Sequence, residues 1–181
     1  MRCFIAIELD NKTRNILTDV QKDLVEQGMK GKLTHGENLH LTLKFLGEID
    51  ESIYNEICKV IKKVAIRHQV FVLSLDNIGK FDKGNKKIVW AGLSENKNLL
   101  SLFRDIESEL EGIMPIKKEN YYIPHITLAR EATLPHKEKI DTHEKLGHSF
   151  DVLGISLMES TRINGKLTYI RRVYEDFAAI L

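Results

Sequence analysis

Two stretches of this sequence repeat one alternating pattern, and the repeat limits the fold more than any other feature. The stretches "NLHLTLKFLG" at 38–47 and "IPHITLARE" at 123–131 both contain His-x-Thr-Leu. Successive side chains of a β-strand point to opposite faces. Each stretch therefore predicts a strand with apolar side chains on one face and an imidazole and a hydroxyl together on the other.

The shared polar face carries groups suited to phosphoryl chemistry. His40 and Thr42 point the same way, as do His125 and Thr127. The composition predicts far less than one copy of the motif by chance, so two copies favour a functional pair over coincidence. Imidazoles can act as acid and base near neutral pH, and hydroxyls can donate hydrogen bonds to phosphoryl oxygens. This pattern indicates phosphodiester cleavage without a metal.

Metal binding is the competing interpretation of the two histidines. A zinc site uses three or four protein ligands, most often Cys, His, Asp or Glu. Neither copy of His-x-Thr-Leu contains a Cys, Asp or Glu, and threonine is a poor ligand. We therefore expect no metal and no other cofactor.

Length and charge narrow the class of protein. The chain has 181 residues, enough for one domain, and its 27 basic and 26 acidic residues give a net charge of +1. That balance argues against binding of long nucleic acid through an overall positive field. Segment 79–87 nevertheless holds four lysines, which indicates a solvated loop or, alternatively, a nearby phosphate-bearing ligand.

No apolar run is long enough to span a membrane. Cys3 and Cys58 lack metal or redox spacing, as expected for reduced thiols in a cytoplasmic protein.

The remaining patterns predict a chain of mixed helices and strands. Asp10 is expected to cap the first helix, and Gly28 and Gly31 to end it. Segment 135–146 is either a short helix or a loop, and 79–87 is a loop or a wide hairpin. We expect helices over 11–26, 51–68 and 96–113, strands over 2–9, 39–46, 70–78, 87–93, 125–130, 149–160 and 168–180, and a turn near 164–166. Because no linker interrupts them, the pattern favours two lobes packed together.

The motifs and their flanks resemble those of a known family. The pair "HLTLKFLG" and "PHITLAR" is similar to the two-histidine phosphoesterase superfamily, and in particular to its RNA 2′,3′-cyclic phosphodiesterase branch, also named 2′-5′ RNA ligase. "RCFIAIEL" resembles the opening strand of that family, and "LMESTRINGKLTYIRR" its closing segment. The chain departs from the family at Leu33 and Gly36, where an aromatic residue and a proline are common.

The resemblance implies an α+β fold and a set of roles. The fold would be a single domain, 1–181, made of two intertwined, pseudo-symmetric lobes, each an antiparallel sheet with helices on its outer face, around a central cleft. His40 would be the proton donor and His125 the proton acceptor, while Thr42 and Thr127 would bind phosphate. The substrates would be RNA ends or nucleotides bearing a 2′,3′-cyclic phosphate, and we expect a monomer.

Three further residues are candidates for substrate binding. Arg130 suits a phosphate or a base, although strict alternation places it opposite His125, where a surface ion pair is the alternative. Phe45 falls on the leucine face, which predicts core packing, with base stacking as the other interpretation. Lys44 falls on the His40 face and can reach the cleft or stay solvated.

Other aromatic and histidine residues receive less specific predictions. Trp90 and Tyr121 either line a nucleotide pocket or belong to the core. The remaining histidines are expected at the surface or in loops: His35, His68, His136, His143 and His148. Three functions stay open: opening of an RNA 2′,3′-cyclic phosphate with possible reversible 2′-5′ joining, hydrolysis of small cyclic nucleotides, and non-catalytic binding of RNA ends.

Overall fold

The computed structural model describes residues 1–118, 121–135 and 146–179. The helices are α1 (Asn11–Glu26), α2 (Glu51–Ile66) and α3 (Lys97–Leu110), with a short 3-10 turn at Gly36–Asn38. The strands are β1 (Arg2–Glu8), β2 (Lys30–Leu33), β3 (His40–Glu48), β4 (Phe71–Lys83), β5 (Lys86–Leu93), β6 (His125–Thr133), β7 (Ser149–Val152), β8 (Gly154–Ile163) and β9 (Lys166–Asp176).

The strands form two antiparallel sheets between which the chain alternates. One sheet has the order β3-β1-β8-β9, and the other has the order β2-β6-β5-β4-β7. The two motif strands, β3 and β6, belong to different sheets and contact each other. The α+β fold expected from the resemblance is confirmed, and each sheet carries one of the two His-x-Thr-Leu motifs.

Each helix begins at a side-chain cap that the local sequence provides. Asp10 accepts a hydrogen bond from the Thr13 amide at 2.6 Å, and Asp50 accepts one from the Ile53 amide at 2.8 Å. Asn96 caps α3 through the Leu99 amide at 2.9 Å. These bonds satisfy amides that have no partner within the helix, and each stabilises its helix by about 1 kcal/mol.

The core lies behind the apolar faces of the motif strands. Leu41, Leu43, Ile126 and Leu128 are at most 2% exposed. Helix α2 contacts β8, β9 and α3, while α3 contacts β3 and α1 contacts β6. Helix α1 buries an apolar stripe of Leu17, Val20 and Leu24, together with the polar Thr13 and Gln21. The predicted alternation therefore places the leucines in the core and leaves the His and Thr face open to the cleft.

The predicted strand over 149–160 is two strands in different sheets. Strand β7 pairs with β4, and β8 pairs with β1 and β9. The chain changes sheets between Val152 and Gly154, where a Cβ on Gly154 would lie 2.2 Å from the Glu175 carbonyl oxygen. Only glycine permits that close approach.

Two predicted connections have different outcomes. The turn near 164–166 is confirmed, since Asn164 and Gly165 both have positive φ, 50° and 78°, as a two-residue hairpin requires. The basic segment 79–87 is a hairpin, but a tight one, since Lys83 pairs with Lys86. The prediction for 135–146 concerns residues that lie almost wholly outside the described part of the chain.

The histidines outside the motifs do not all lie at the surface. His35 is exposed, as expected. His68 is buried, and its Nε2 lies 2.8 Å from Asp105 Oδ2, so its assignment to the surface is wrong. His148 is partly buried against Thr13, with 3.0 Å between Nε2 and Oγ1. His136 and His143 fall outside the described residues. None of the helices described is long and apolar enough to span a membrane.

Candidate active site

The two motif strands share an irregularity immediately after the motif threonine. Thr42 pairs with Ala6 and Lys44 with Ile5, so Leu43 is an extra residue in β3. Thr127 pairs with Trp90 and Ala129 with Val89, so Leu128 is an extra residue in β6. Each extra residue forms a β-bulge, which shifts the alternation of the strand by one position.

In β3 the bulge reverses two predicted orientations. Lys44 is only 5% exposed, and Phe45 is 64% exposed with its ring 5.9 Å from that of Phe4. The expectation that Lys44 shares the His40 face is therefore wrong, and so is the expectation that Phe45 packs in the core. Phe45 instead extends the aromatic surface beside His40, because Phe4 lies 4.8 Å from the His40 ring.

In β6 the corresponding bulge turns Arg130 towards the cleft. Ala129 is fully buried and Arg130 is exposed, the reverse of strict alternation from His125. Burial lowers the pKa of His40 and raises that of Tyr169, and the charge of Arg130 acts to lower both pKa values. Arg130 thus acts across the cleft on groups of the other sheet, at the position that matches Phe45 in β3.

Lys44 has a structural role behind the motif strand. Its Nζ lies 2.5 Å from Glu107 Oε1 of α3 and donates a hydrogen bond to the Lys117 carbonyl oxygen at 2.8 Å. Only 5% of the lysine side chain and 13% of the glutamate side chain are exposed. A buried cation of this kind needs its partner, so the pair fixes α3 against β3.

Both motif histidines are held by the same backbone interaction. His40 Nδ1 lies 2.7 Å from the Asn38 carbonyl oxygen, and His125 Nδ1 lies 2.8 Å from the Ile123 carbonyl oxygen. A carbonyl oxygen only accepts, so Nδ1 carries the proton in each ring and donates it. Nε2 is therefore the nitrogen that gains or loses a proton. His40 Nε2 lies 2.9 Å from Thr42 Oγ1, which joins the two motif side chains.

Aromatic rings enclose both imidazoles. Tyr169 of β9 stands edge-on to His40, with 5.1 Å between ring centroids. Phe81 of β4 stands edge-on to His125 at 4.9 Å, and Trp90 lies 6.0 Å from the same ring. The rings restrict each imidazole to one orientation and reduce its contact with water.

The surroundings of His40 favour its neutral form. Burial lowers the pKa of His40 to about 4, although the hydrogen bond to the Asn38 carbonyl opposes the shift, and the charges of Arg130 and His125 lower it further. Strands β3 and β6 contact each other, and the charge of His125 reaches His40, so the two motifs face one cleft. An imidazole with this pKa is uncharged near neutral pH until an anion enters beside it.

Tyr122 connects the two motifs through the backbone. Its hydroxyl donates a hydrogen bond to the Thr42 carbonyl oxygen at 3.0 Å, and its ring stacks on Phe103 of α3 at 4.1 Å. The next residue, Ile123, provides the carbonyl that holds His125. The segment that orients one histidine is thus attached to the strand that carries the other.

The sequence analysis predicted part of this arrangement. The structure brings His40, His125 and Arg130 together, with Thr42 and Thr127 half-buried on the same faces as their histidines. Trp90 lines the site beside His125, whereas Tyr121 is 86% exposed and does not belong to the core. The sequence analysis missed four contributors, which are distant from the motifs in sequence or carry no pattern of their own: Phe4, Phe81, Tyr122 and Tyr169.

No group of three or more His, Cys, Asp or Glu side chains among the described residues is arranged to hold a metal ion. The groups that the two motifs and Arg130 bring to the cleft are imidazoles, hydroxyls and a guanidinium.

Comparisons with known proteins agree with this geometry. A family model described as LigT-like phosphoesterase matches residues 7–90. The RNA 2′,3′-cyclic phosphodiesterase of Methanocaldococcus jannaschii is 35% identical over 168 residues, which cover 89% of this chain and 92% of the relative. The protein of the same name from Methanothermobacter thermautotrophicus is 26% identical over 179 residues, covering 97% of this chain and 96% of the relative.

The fold also matches solved structures. The apo form of Escherichia coli LigT superposes with a TM-score of 0.81 at 24% identity, covering 98% of this chain and 97% of that one. TT0787 of Thermus thermophilus gives a TM-score of 0.81 at 23% identity, covering 99% of both chains. With a relative 35% identical over nearly its whole length, this chain belongs to the family of LigT-like phosphoesterases.

Proposed function

We propose that this protein hydrolyses the 2′,3′-cyclic phosphate at an RNA end to a 2′-phosphomonoester, without a metal. The observation that carries the proposal is the matched pair of imidazoles, each with Nδ1 held by a carbonyl and Nε2 left as the titrating nitrogen. Relatives named RNA 2′,3′-cyclic phosphodiesterase support the choice of substrate.

The chemistry is an in-line displacement at phosphorus. His125 accepts a proton from water through Nε2 as the water oxygen bonds to phosphorus. The bond between phosphorus and the ribose 3′ oxygen breaks, and His40 donates its Nε2 proton to that oxygen. Thr42 and Thr127 donate hydrogen bonds to the non-bridging oxygens, where negative charge grows in the transition state. The assignment of donor and acceptor follows the family resemblance.

The lowered pKa of His40 bears on the donor role. By itself this imidazole is neutral near neutral pH, because burial and the charges of Arg130 and His125 disfavour the cation and lower its pKa. An anionic phosphodiester beside the ring favours the cation. His40 thus gains its proton as the substrate binds, and the loaded complex contains the acid that the leaving oxygen needs.

The same arrangement supports 2′-5′ joining of two RNAs as a secondary activity. If the 5′-hydroxyl of a second RNA replaces water, attack on the cyclic phosphate joins the two RNAs through a 2′-5′ linkage. Small 2′,3′-cyclic nucleotides are the alternative substrates. Non-catalytic binding of RNA ends is the remaining alternative, but binding alone gives no reason to orient two imidazoles so that both Nε2 atoms titrate.

The proposal includes a cytoplasmic monomer. Cys3 and Cys58 are both free thiols, which suits a reducing compartment. Both motifs lie in one chain and contact each other through β3 and β6, so a second copy is not needed to complete the cleft.

The test is the identity of the product. An RNA oligonucleotide ending in a 2′,3′-cyclic phosphate is incubated with the protein after exhaustive chelation, and the product is examined by phosphorus NMR. We expect turnover to continue and a 2′-phosphomonoester to form. A 3′-phosphomonoester would reverse the binding direction of the ribose, and activity that returns only with added zinc or manganese would contradict metal independence. Binding without turnover would favour the RNA-end-binding alternative.

A further inference from the structure

The lysines of the hairpin formed by β4 and β5 lie on two opposite faces. Directly paired residues in antiparallel strands share a face, and the faces alternate along each strand. Thr127 pairs with Trp90, and Trp90 pairs with Gly79. Continuing outwards, Phe81 pairs with Ile88, and Lys83 pairs with Lys86. We call the face of the five-stranded sheet that carries His125 and Thr127 the catalytic face. Along the hairpin this face carries aromatic and apolar residues first and then, at the tip, the two lysines.

The other face of the hairpin differs in its charge. Lys80 and Asp82 alternate with Phe81, and Asp82 pairs with Lys87. The Lys87 ammonium lies 2.5 Å from Asp82 Oδ1, so the only acid between 79 and 87 is bound on that face. Within the described residues, Lys83 and Lys86 form no salt bridge, and both are exposed. Among the same residues, Lys80 on the opposite face forms no salt bridge either, so the catalytic face carries two uncompensated lysines and the opposite face carries one.

Gly79 lets the Trp90 indole lie flat against the backbone at the end of the hairpin nearest His125. A Cβ on Gly79 would lie 2.1 Å from Cη2 of Trp90, so the indole lies directly over the glycine backbone. Phe81 packs against the same indole, with 5.1 Å between ring centroids. The surface beside His125 is thus a fixed aromatic platform, which suits stacking of a base.

The dimensions suit an extended strand of nucleic acid. Lys86 is four steps along β5 from Trp90, and at about 3.3 Å per step the two are about 13 Å apart. The lysine side chains extend further still. Phosphates that precede the reacting end of an RNA chain fall within that distance, whereas the ribose and phosphate of a mononucleotide stay at the histidines.

We propose that the catalytic face of the β4–β5 hairpin binds the single-stranded RNA that precedes the reacting end. A base stacks on the platform of Phe81 and Trp90, and backbone phosphates contact Lys83 and Lys86. The proposal rests on the proposed function and extends it, because it makes an RNA chain a better substrate than a mononucleotide. It also explains how a protein of net charge +1 holds RNA: two uncompensated lysines lie on the same face of the hairpin as the aromatic platform.

The test compares two substrates across charge-reversal variants. The kcat/KM is measured for a short oligonucleotide ending in a 2′,3′-cyclic phosphate and for a 2′,3′-cyclic mononucleotide. The ratio of the two values, oligonucleotide over mononucleotide, should fall about tenfold in Lys83→Glu/Lys86→Glu. The matched control is Lys80→Glu, which reverses a charge on the opposite face of the same hairpin and should keep the wild-type ratio.

Salt dependence gives a second readout. For single strands, log kcat/KM should fall with log salt by about 0.7 for each phosphate that a lysine neutralises. Lys83→Gln/Lys86→Gln, which removes charge without adding any, should make the slope for the oligonucleotide shallower by about 1.4, provided that both contacts are made. Circular dichroism checks that each variant is folded.

The outcomes separate this inference from the proposed function. If the wild-type protein cleaves neither substrate, the proposed function fails. If it cleaves both, and the oligonucleotide has no advantage, the hairpin inference is overturned. An equal loss in Lys80→Glu and in the Lys83 and Lys86 variants also overturns it, because a general field would then explain the effect.

Discussion

Leu43 and Leu128 occupy equivalent places in the two motif strands, each as the extra residue of a bulge that follows the motif threonine. Before the bulge, His and Thr face the cleft and the apolar residues face the core. After it, the residue five positions beyond each histidine faces the cleft: Phe45 in one strand and Arg130 in the other. The same bulge therefore turns a different side chain towards the cleft in each strand: an aromatic ring in β3 and a guanidinium in β6.

The buried pair behind β3 should dominate the stability of the site. Lys44→Ala should lower the free energy of unfolding by about 3–5 kcal/mol, because Glu107 would remain nearly buried without its cation. The double variant Lys44→Met/Glu107→Leu should recover most of that loss. Urea unfolding at neutral pH measures both. Lys63→Ala is the control, since Lys63 is 62% exposed in its pair with Glu109 and should cost less than about 1 kcal/mol.

The two histidines should act as a unit. His40→Ala and His125→Ala should each lower kcat by about 10²–10⁴, and the double variant should be little worse than either, because one proton transfer is of little use without the other. Single-turnover assays on a cyclic-phosphate substrate measure the effect. His35→Ala removes an exposed imidazole close in sequence and should retain activity. Near-normal turnover in either single variant would contradict the acid–base pair.

The lowered pKa of His40 should make folding sensitive to mild acid. The folded-state pKa is about 4 and the ordinary value is 6.5, so between these values the unfolded chain binds a proton that the folded chain does not. Stability from this group is therefore complete above pH 6.5 and falls by roughly 3 kcal/mol as the pH drops to about 4. His40→Asn should remove that part of the slope. Urea titrations of both proteins at pH 7 and pH 4.5 provide the comparison, and equal slopes would contradict the shifted pKa.

The pH dependence of the rate should report the pKa of His40 both before and after the substrate binds. The kcat/KM reports the free enzyme and kcat the complex, so the acid limb of kcat should lie at higher pH than that of kcat/KM, because the bound phosphate raises the pKa of His40. The limbs belong to the coupled pair, and both proton arrangements give the same bell shape. Arg130→Gln should move the acid limb of kcat/KM upwards, since Arg130 lowers the pKa of His40. An unchanged limb would mean that another group titrates there.

Sequence patterns predicted what depends on local geometry. The period of two placed Leu41 in the core and His40 on the cleft face, and Asp10 caps α1 as expected. The bulges escaped prediction because they depend on register against β1 and β5, which alternation within one strand does not contain. As a result, Lys44 and Phe45 were assigned to the wrong faces.

Other errors have the same origin in tertiary contacts. Strand β2 consists of KGKL, which has no alternating pattern, and it forms only because β6 offers an edge. The division between β7 and β8 follows from the close approach of Gly154 to β9. His68 is buried because Asp105 of α3 meets it, and nothing near His68 in the sequence indicates that partner.

The order of strands within the four-stranded sheet also governs when the site can assemble. Strand β1 lies between β3, its near neighbour in sequence, and β8, which follows some 150 residues later. A nascent chain can form β1 and β3 early, but His40 then lacks Tyr169, and β1 keeps one open edge. Neither half of the pseudo-symmetric pair is a continuous piece of chain. The surroundings of His40 are therefore complete only after β9, the last strand of the chain described, has been synthesised.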